Sequence, residues 1–157
     1  MGDLTRNLSL HEFRCRCGCG LMNPHPLLVE SLQEWVDRSG ARHIVITGGG
    51  RCPARNRRLH RQGAAPDSPH LPHGREGWTR AADAYLIGAG LKLRDQLIYA
   101  LQVPAFAEGG VGIYWQGPGP DRLHLDVRGT PARWAFIEGR KTAWQEAVRL
   151  LNQGGKA

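Results

Sequence analysis

The stretch GPGPDRLHLDVRG, residues 117–129, places a histidine between two carboxylates in a predicted β-strand. A Gly/Pro-rich loop leads into Asp121. The alternation that follows it gives one apolar face and one face that carries His124 and Asp126. By itself this pattern is also typical of a half-exposed strand whose polar residues face water. Its chemistry depends on which other side chains the fold brings to the same place.

Two further residues could complete a metal site with His124. Asp83 lies in AADAYL, a predicted strand that is otherwise suited to burial, and a buried carboxylate needs a cation, a proton or several donors. His70 lies in the loop that precedes this strand. Two histidines and an aspartate are ligand types of a catalytic zinc ion, which takes three protein ligands and leaves the fourth position to water.

The elements that must position these residues follow from hydrophobic periodicity and turn signals. Helices are predicted over residues 23–40, 53–62, 90–101 and 141–153, and strands over 42–49, 80–87, 110–115 and 122–128. Gly40 is a helix stop, and Pro53 is a helix start because its missing N–H is unpaired at that position in any case. With no long linker or repeat, residues 1–157 are predicted to form a single α+β domain.

Composition limits the partners. The formal charge of +7 indicates attraction to a polyanion, which could be nucleic acid, an anionic cell wall or acidic lipid. The arginine-rich residues 51–62 contain no aromatic side chains, which favours a solvated helix face over a specific nucleic-acid site. No segment has the length of a membrane span or the layout of a signal peptide. We therefore expect the protein to be cytoplasmic when synthesised. We also expect a monomer.

The four cysteines, Cys15, Cys17, Cys19 and Cys52, do not have the spacing of the common two-knuckle zinc ribbon. Disulfides, an accessory metal site and free buried thiols all remain open, and a reducing cytosol favours the last two. Because no cysteine lies in the segments that carry the candidate ligands, we expect the cluster to be dispensable for chemistry. Cys52 is the exception to examine, since it directly follows Arg51.

The chain resembles a family of zinc peptidases that includes VanX- and VanY-like D-Ala-D-Ala peptidases and the L-alanyl-D-glutamate endolysins of bacteriophages. The resemblance covers about residues 8–129 and keeps the order of the family's segments. The matching segments are LSLHEFRCRCGCG, HPLLVESLQEW, IVITGGGRCPARN, SPHL, RAADAYL, VGIYW and LHLDVRG. It implies a small antiparallel sheet flanked by helices, as in the hedgehog and D-Ala-D-Ala peptidase folds.

The resemblance also implies roles for individual residues. His70, Asp83 and His124 match the zinc ligands. Asp121, three residues before His124, matches the general base that takes a proton from the zinc-bound water. Arg51 matches an arginine that stabilises the oxyanion at the scissile carbonyl.

Two more residues have supporting roles under this resemblance. Ser68 is expected to bind substrate or orient the ligand loop, with a plain turn residue as the alternative. Asp126 shares the face of His124 and is expected to hold a ligand imidazole, with a salt bridge to Arg128 as the alternative.

The sequence departs from the family in one place. Asp83 follows His70 by thirteen positions, which is more than in relatives, so that PHGREGWT contains an apparent insertion. A surface loop can bulge outwards at little thermodynamic cost and leave both ligands in place. Alternatively, His73 replaces His70 as the ligand, or the insertion has disrupted the site.

The function expected from these features is zinc-dependent hydrolysis of a peptide bond next to a D-amino acid in peptidoglycan stem peptides or cross-links. Such an enzyme would act on the anionic wall after release from the cell, or be carried on a virion. The first alternative is a non-catalytic member of the same fold that serves as a virion or wall-binding module. The second, a nucleic-acid-binding protein, rests only on charge.

Overall fold

Residues 2–61 and 64–154, the part of the chain that the computed structural model describes, contain both helices and strands. A short 3-10 helix (Leu10–Phe13) comes first. The helices are α1 (Pro26–Ser39), α2 (Pro53–His60), α3 (Leu93–Leu101), α4 (Pro104–Ala107) and α5 (Trp144–Asn152). The strands are β1 (His43–Gly48), β2 (Pro72–His73), β3 (Trp78–Thr79), β4 (Ala81–Ile87), β5 (Gly110–Trp115), β6 (Arg122–Asp126), β7 (Ala132–Ile137) and β8 (Arg140–Thr142).

Helix α1 shows how local sequence sets these boundaries. Pro26 occupies its first turn, and the ring of His25 accepts a hydrogen bond from the backbone N–H of Leu27. Gly40 ends the helix with φ 65°, in the left-handed region that favours glycine. The indole N–H of the fully buried Trp35 donates to the carbonyl oxygen of Gln96 at 2.9 Å, which ties α1 to α3.

Six strands form one sheet in the order β1-β4-β6-β5-β7-β8, and β2 pairs with β3 in a separate hairpin. Every pairing in the six-stranded sheet is antiparallel except β5 with β7, which is parallel. In the centre, Asp83 of β4 lies opposite His124 of β6, and Gly112 of β5 lies opposite His124 from the other side. The sheet register therefore sets an aspartate and a histidine side by side.

The two faces of the sheet have different surroundings. Helices α1, α3, α4 and α5 contact the strands, and the core that they cover includes Ala84 of β4, Ile113 of β5 and Leu125 of β6. Because successive residues of a strand point to opposite faces, Asp83 and His124 point away from this core. We call the face that carries these two residues the open face of the sheet. The polar residues of the candidate site lie on it.

The α+β class and the mostly antiparallel sheet are confirmed, but several boundaries differ from the prediction. Residues 141–142 belong to β8, so the last helix begins at Trp144 rather than at residue 141. Helix α2 ends at His60; the predicted end, Gln62, lies outside the described residues. Strands β2, β3, β7 and β8 were not predicted. None of the helices in residues 2–61 and 64–154 has the length and hydrophobicity needed to cross a membrane.

Candidate metal centre

Three separate segments bring His70, Asp83 and His124 to one point on the open face. His124 Nδ1 lies 3.0 Å from Asp83 Oδ1 and 3.2 Å from His70 Nε2, and His70 Nε2 lies 3.4 Å from Asp83 Oδ1. Both histidines are buried, whereas the Asp83 side chain keeps 17% of its surface exposed. The three atoms form a nearly equilateral triangle that reaches solvent on the aspartate side.

The outer nitrogen of each imidazole is held by an acceptor. His70 Nδ1 lies 2.7 Å from the carbonyl oxygen of Gly49, and His124 Nε2 lies 2.9 Å from Asp126 Oδ2. A carbonyl oxygen can only accept a hydrogen bond, and an ionised carboxylate likewise, so these two nitrogens carry the protons. In neutral rings, the inner nitrogens then present bare lone pairs to each other and to the Asp83 carboxylate.

Three converging acceptors repel one another unless a cation lies between them, and the triangle has the size that zinc requires. With bonds of about 2.0 to 2.1 Å, a tetrahedral zinc site has ligand-to-ligand distances of about 3.3 to 3.4 Å. The observed distances of 3.0, 3.2 and 3.4 Å are close to that value. The residues present therefore fit a zinc ion with three protein ligands and a fourth position open to solvent.

Asp126 supports this arrangement from behind His124. Its carboxylate is fully buried and accepts hydrogen bonds from His124, from the backbone N–H of Gly110 at 3.0 Å, and from the Arg128 guanidinium at 2.6 to 3.0 Å. Both contacts that the sequence left as alternatives, to the imidazole and to Arg128, are thus present together. Such a carboxylate fixes the ring orientation of a metal-binding histidine and raises its basicity.

Burial and mutual contacts shift the pKa values of the three side chains in the triangle. Burial disfavours the charged form of Asp83, yet His70 and His124 hold the pKa of its carboxyl well below the usual value. Burial lowers the pKa of His70, which keeps this ring neutral. Burial also acts to lower the pKa of His124, but its hydrogen bonds to Asp126 and Asp83 outweigh burial and raise it. Without a metal, His124 is therefore the ring that most readily takes up a proton, which a metal ion would displace.

Arg51 lies at the edge of the triangle. Its Nη2 is 3.9 Å from Asp83 Oδ2, and its Nη1 is 3.4 Å from the side-chain oxygen of Asn56 in α2. Its backbone N–H donates to the carbonyl oxygen of His70 at 2.8 Å, which links the loop after β1 to the ligand loop. The guanidinium is thus beside the metal position, where a developing negative charge could be stabilised.

Ser68 and His73 define the ligand loop without joining the triangle. The Ser68 hydroxyl accepts a hydrogen bond from the backbone N–H of His70 at 3.3 Å, which orients the loop. Because Ser68 is buried, it presents little surface to a substrate. His73 points its Nε2 to the Ser68 carbonyl oxygen at 3.1 Å. Of the two candidate histidines, the structure therefore brings His70, and not His73, to Asp83 and His124.

The apparent insertion forms the hairpin of β2 and β3. Its two ends are joined by a hydrogen bond from the Arg80 N–H to the Pro69 carbonyl oxygen at 2.8 Å. The hairpin is also attached to the N-terminal segment. The backbone N–H and the hydroxyl of Thr79 both donate to the Asn23 carbonyl oxygen, and the Asn23 side-chain amide donates to the Glu76 carbonyl oxygen. The extra residues therefore project outwards while His70 and Asp83 stay together.

The structure does not bring Asp121 to the triangle. Asp121 is exposed, and its carboxylate accepts a hydrogen bond from the backbone N–H of Gln116 at 2.7 Å, which closes the turn between β5 and β6. By the two-residue repeat it has the parity of Leu123, on the core side, and it lines a cleft with Leu93 and Leu151. The Asp121 carboxylate is thus engaged at the turn and is not part of the triangle, and its role as general base stays a prediction that substitution can test.

Sequence reasoning missed three residues of the site. The Tyr114 hydroxyl accepts a hydrogen bond from the Trp134 indole at 3.4 Å, and the Trp134 ring packs against His124 with centroids 4.8 Å apart. A β-carbon at Gly112 would lie 2.4 Å from the Trp134 ring, so only glycine fits there. Alternation in VGIYW was the signal for Tyr114, since it predicts that Gly112 and Tyr114 share a face. Trp134 lies in a strand that was not predicted.

Comparison with known proteins agrees with this geometry. The family model described as Peptidase M15 matches residues 6–114, more than half of the chain, and includes Arg51, His70 and Asp83 but ends before His124. No curated protein and no solved structure gives a significant match. Peptidases of this family are zinc-dependent, in accord with the triangle of ligand atoms. The chain therefore belongs to the Peptidase M15 family of metallopeptidases.

Proposed function

We propose that this metallopeptidase hydrolyses a peptide bond next to a D-amino acid in peptidoglycan stem peptides or cross-links, with zinc held by His70, Asp83 and His124. The observation that carries the proposal is the triangle of ligand atoms, with edges of 3.0, 3.2 and 3.4 Å and both imidazoles oriented from outside. The net charge of +7 suits an anionic cell wall, where long-range attraction raises the local concentration of the enzyme.

The ligands have separate tasks in this proposal. His70 and His124 supply neutral nitrogens, and Asp83 supplies one negative charge, so that a bound divalent cation keeps a net positive charge for catalysis. The chemistry that zinc supplies when bound is Lewis acidity, which polarises a peptide carbonyl and acidifies water. Asp126 holds the His124 ring by accepting its Nε2 proton, so that Nδ1 remains available as the ligand.

Arg51 and Tyr114 are the groups of this chain that we propose to act on the substrate. Arg51 carries a permanent charge beside Asp83 and would stabilise the oxyanion as charge develops on the scissile carbonyl. Burial and the nearby Asp83 raise the pKa of Tyr114, which keeps its hydroxyl protonated at neutral pH. Because that oxygen already accepts from Trp134, its own proton is available to donate to the substrate.

Mass spectrometry of muropeptides tests the proposed reaction. Isolated peptidoglycan is incubated with the zinc-loaded protein, with the same protein after chelation, and with His124→Ala. We expect new peptide fragments from the zinc-loaded protein and none from the other two samples. When zinc is added back, the chelated protein should regain its hydrolytic activity. The masses of the fragments identify the bond that is cut.

Two outcomes would contradict the proposed reaction. If the zinc-loaded protein sediments with peptidoglycan and leaves it intact, the chain is a wall-binding module of this fold instead. If it neither binds nor cuts peptidoglycan but hydrolyses other peptides, the metallopeptidase assignment stands and the substrate proposal is wrong. An unrelated acidic polymer in the binding assay controls for attraction by charge alone.

A further inference from the structure

The four cysteines converge although one of them is far from the others in sequence. Cys15, Cys17 and Cys19 lie in one turn after the 3-10 helix, and Cys52 lies at the start of α2. All four sulfur atoms lie within 4.8 Å of one another, and all four are free thiols. Cys17 Sγ is 3.3 Å from Cys15 Sγ and 3.5 Å from Cys52 Sγ. We name these four residues the cysteine cluster.

We infer that the cysteine cluster binds a structural zinc ion. With zinc-to-sulfur bonds of about 2.3 Å, a tetrahedral four-cysteine site has sulfur-to-sulfur distances of about 3.8 Å. The cluster has this size, and four thiolates favour zinc or iron over hard cations such as calcium and magnesium. Cys17 is close to two different partners at once, which is the geometry of a shared centre rather than of two disulfide pairs.

The backbone is shaped to bring three ligands from so short a segment. Gly18 and Gly20 have φ values of 80° and 81°, in the left-handed region that other residues adopt only with strain. Cys15 closes this turn through hydrogen bonds from its N–H to the Leu21 carbonyl oxygen at 2.8 Å and from the Gly18 N–H to its own carbonyl oxygen at 3.3 Å. The glycines let the chain reverse, so that Cys17 and Cys19 return to Cys15.

The surroundings can compensate the negative charge of four thiolates around a divalent ion. The backbone N–H of Cys52 donates to Cys15 Sγ, and that of Arg55 donates to Cys52 Sγ, both at 3.4 Å. The second of these donors belongs to the first turn of α2, the positive end of the helix dipole. Arg14 and Arg16 flank Cys15 in the sequence and add positive charge.

The position of the cysteine cluster assigns it a structural task. It ties the N-terminal segment to the loop between β1 and α2, where the Gly50 N–H also donates to the Phe13 carbonyl oxygen at 2.8 Å. That loop carries the Gly49 carbonyl oxygen that orients His70, and it carries Arg51. A four-ligand site leaves no position for a substrate, so the second zinc would hold the loop without taking part in the reaction.

Metal analysis of the full chain, purified under reducing conditions without chelator, tests the inference. We expect about two zinc ions per chain in the wild type and about one in either Cys17→Ser/Cys19→Ser or His70→Ala/His124→Ala. X-ray absorption at the zinc edge should detect only sulfur neighbours in the double histidine variant and only nitrogen and oxygen neighbours in the double cysteine variant. His43→Ala, an exposed histidine at the start of β1, is the matched control and should keep both ions.

Thiol titration of the wild type keeps the test decisive if the cysteine variant fails to fold. A mercurial reagent should release about one zinc ion per chain, and four thiols should react after unfolding in chelator. The inference is overturned if the wild type releases no metal with the mercurial reagent, if the thiols are found as disulfides, or if the bound metal is iron. Because the histidine variant is analysed separately, failure here does not touch the proposed peptidase activity.

Discussion

The two groups of candidate metal ligands, the His70–Asp83–His124 triangle and the cysteine cluster, are built in opposite ways. Asp83 and His124 lie on paired central strands, and the outer nitrogens of both histidines are fixed by Gly49 and Asp126. The cysteine cluster lies on loops, with Cys17 and Cys19 exposed and glycines shaping its turn. The triangle has three ligands and faces solvent on one side, whereas the cluster has four.

This difference shows that the number of protein ligands and the hydrogen bonds that support them suit a metal site to either catalysis or structure. A catalytic ion must keep its geometry while substrate replaces water, which requires ligands on rigid elements with their own hydrogen-bond partners. A structural ion supplies rigidity itself, because four bonds fix the loops that carry them. Substitutions in each group should therefore cause different losses.

The largest effect is expected from His124→Ala, which removes one of three ligands from the triangle. Zinc at this site should fall from about one ion per chain to almost none, and hydrolysis should fall to background. Elemental analysis in the Cys17→Ser/Cys19→Ser background avoids interference from cysteine-bound metal. His73→Ala is the matched control and should keep the zinc. If His73→Ala removes the metal and His70→Ala does not, the ligand assignment must be exchanged.

The second effect concerns the support behind the ligand. Asp126→Asn should weaken zinc binding at the triangle by about 10- to 100-fold, the range typical for partners that orient a metal-binding histidine. The reason is that the Asp126 carboxylate accepts the Nε2 proton of His124 and is itself held by Arg128. Competition with a chromophoric chelator measures the zinc affinity. Asp121→Asn is the control, because it makes the same substitution at an aspartate outside the triangle. An unchanged affinity would mean that strand packing alone orients His124.

The third effect separates stability from chemistry. Cys17→Ser/Cys19→Ser should lower the thermal midpoint and make unfolding insensitive to chelators that act on the wild-type cluster. At saturating active-site zinc, kcat/KM should stay within about threefold of the wild type, a change below about 0.7 kcal/mol. Calorimetry and peptide hydrolysis on the same samples measure both. If activity is lost while stability is kept, the cysteine cluster is required to position Arg51 for the reaction.

The smallest effect is expected from Asp121→Ala, because the Asp121 carboxylate closes a turn on the core side of the sheet. We expect less than about threefold loss of activity, against the 10²- to 10⁴-fold typical of removing a positioned acid–base group. Zinc content and circular dichroism are checked in parallel. A loss of a hundredfold or more with zinc intact would restore Asp121 as the base and would require the turn to open during catalysis. If activity is kept, Glu76 of the β2–β3 hairpin is the next carboxylate to substitute.

Local pattern predicted the strands that carry Asp83 and His124, because alternation and burial are properties of a single segment. It could not predict that these two residues are paired, since register depends on which strands become neighbours in the sheet. The resemblance to zinc peptidases predicted that they share a metal site, and the strand pairing itself is seen only in the structure. It also suggested Asp121, although the same alternation places residues 121 and 124 on opposite faces.

The β7–β8 hairpin had a local sequence signal, whereas the convergence of the cysteines had none. The segment ARWAFIEGRKT contains a hairpin turn at Glu138 and Gly139, both with positive φ, and the glycine marked it. The convergence of Cys52 with the other three cysteines had no such signal, because it depends on how α2 packs beside the N-terminal segment. Spacing rules for metal sites apply to ligands in short motifs, and this cluster joins two distant parts of the chain.

The hydrogen bond between Arg80 and Pro69 has a consequence for evolution and for engineering. It closes the base of the β2–β3 hairpin, so that the residues between the two project from a fixed base and leave His70 and Asp83 together. At the tip, the side chains of Arg75 and Glu76 are exposed and are therefore natural positions for substitution, while the Asn23 amide holds the backbone carbonyl oxygens of Glu76 and Gly77. Libraries that vary the charge of these two side chains would alter the surface of the hairpin while the zinc ligands keep their spacing.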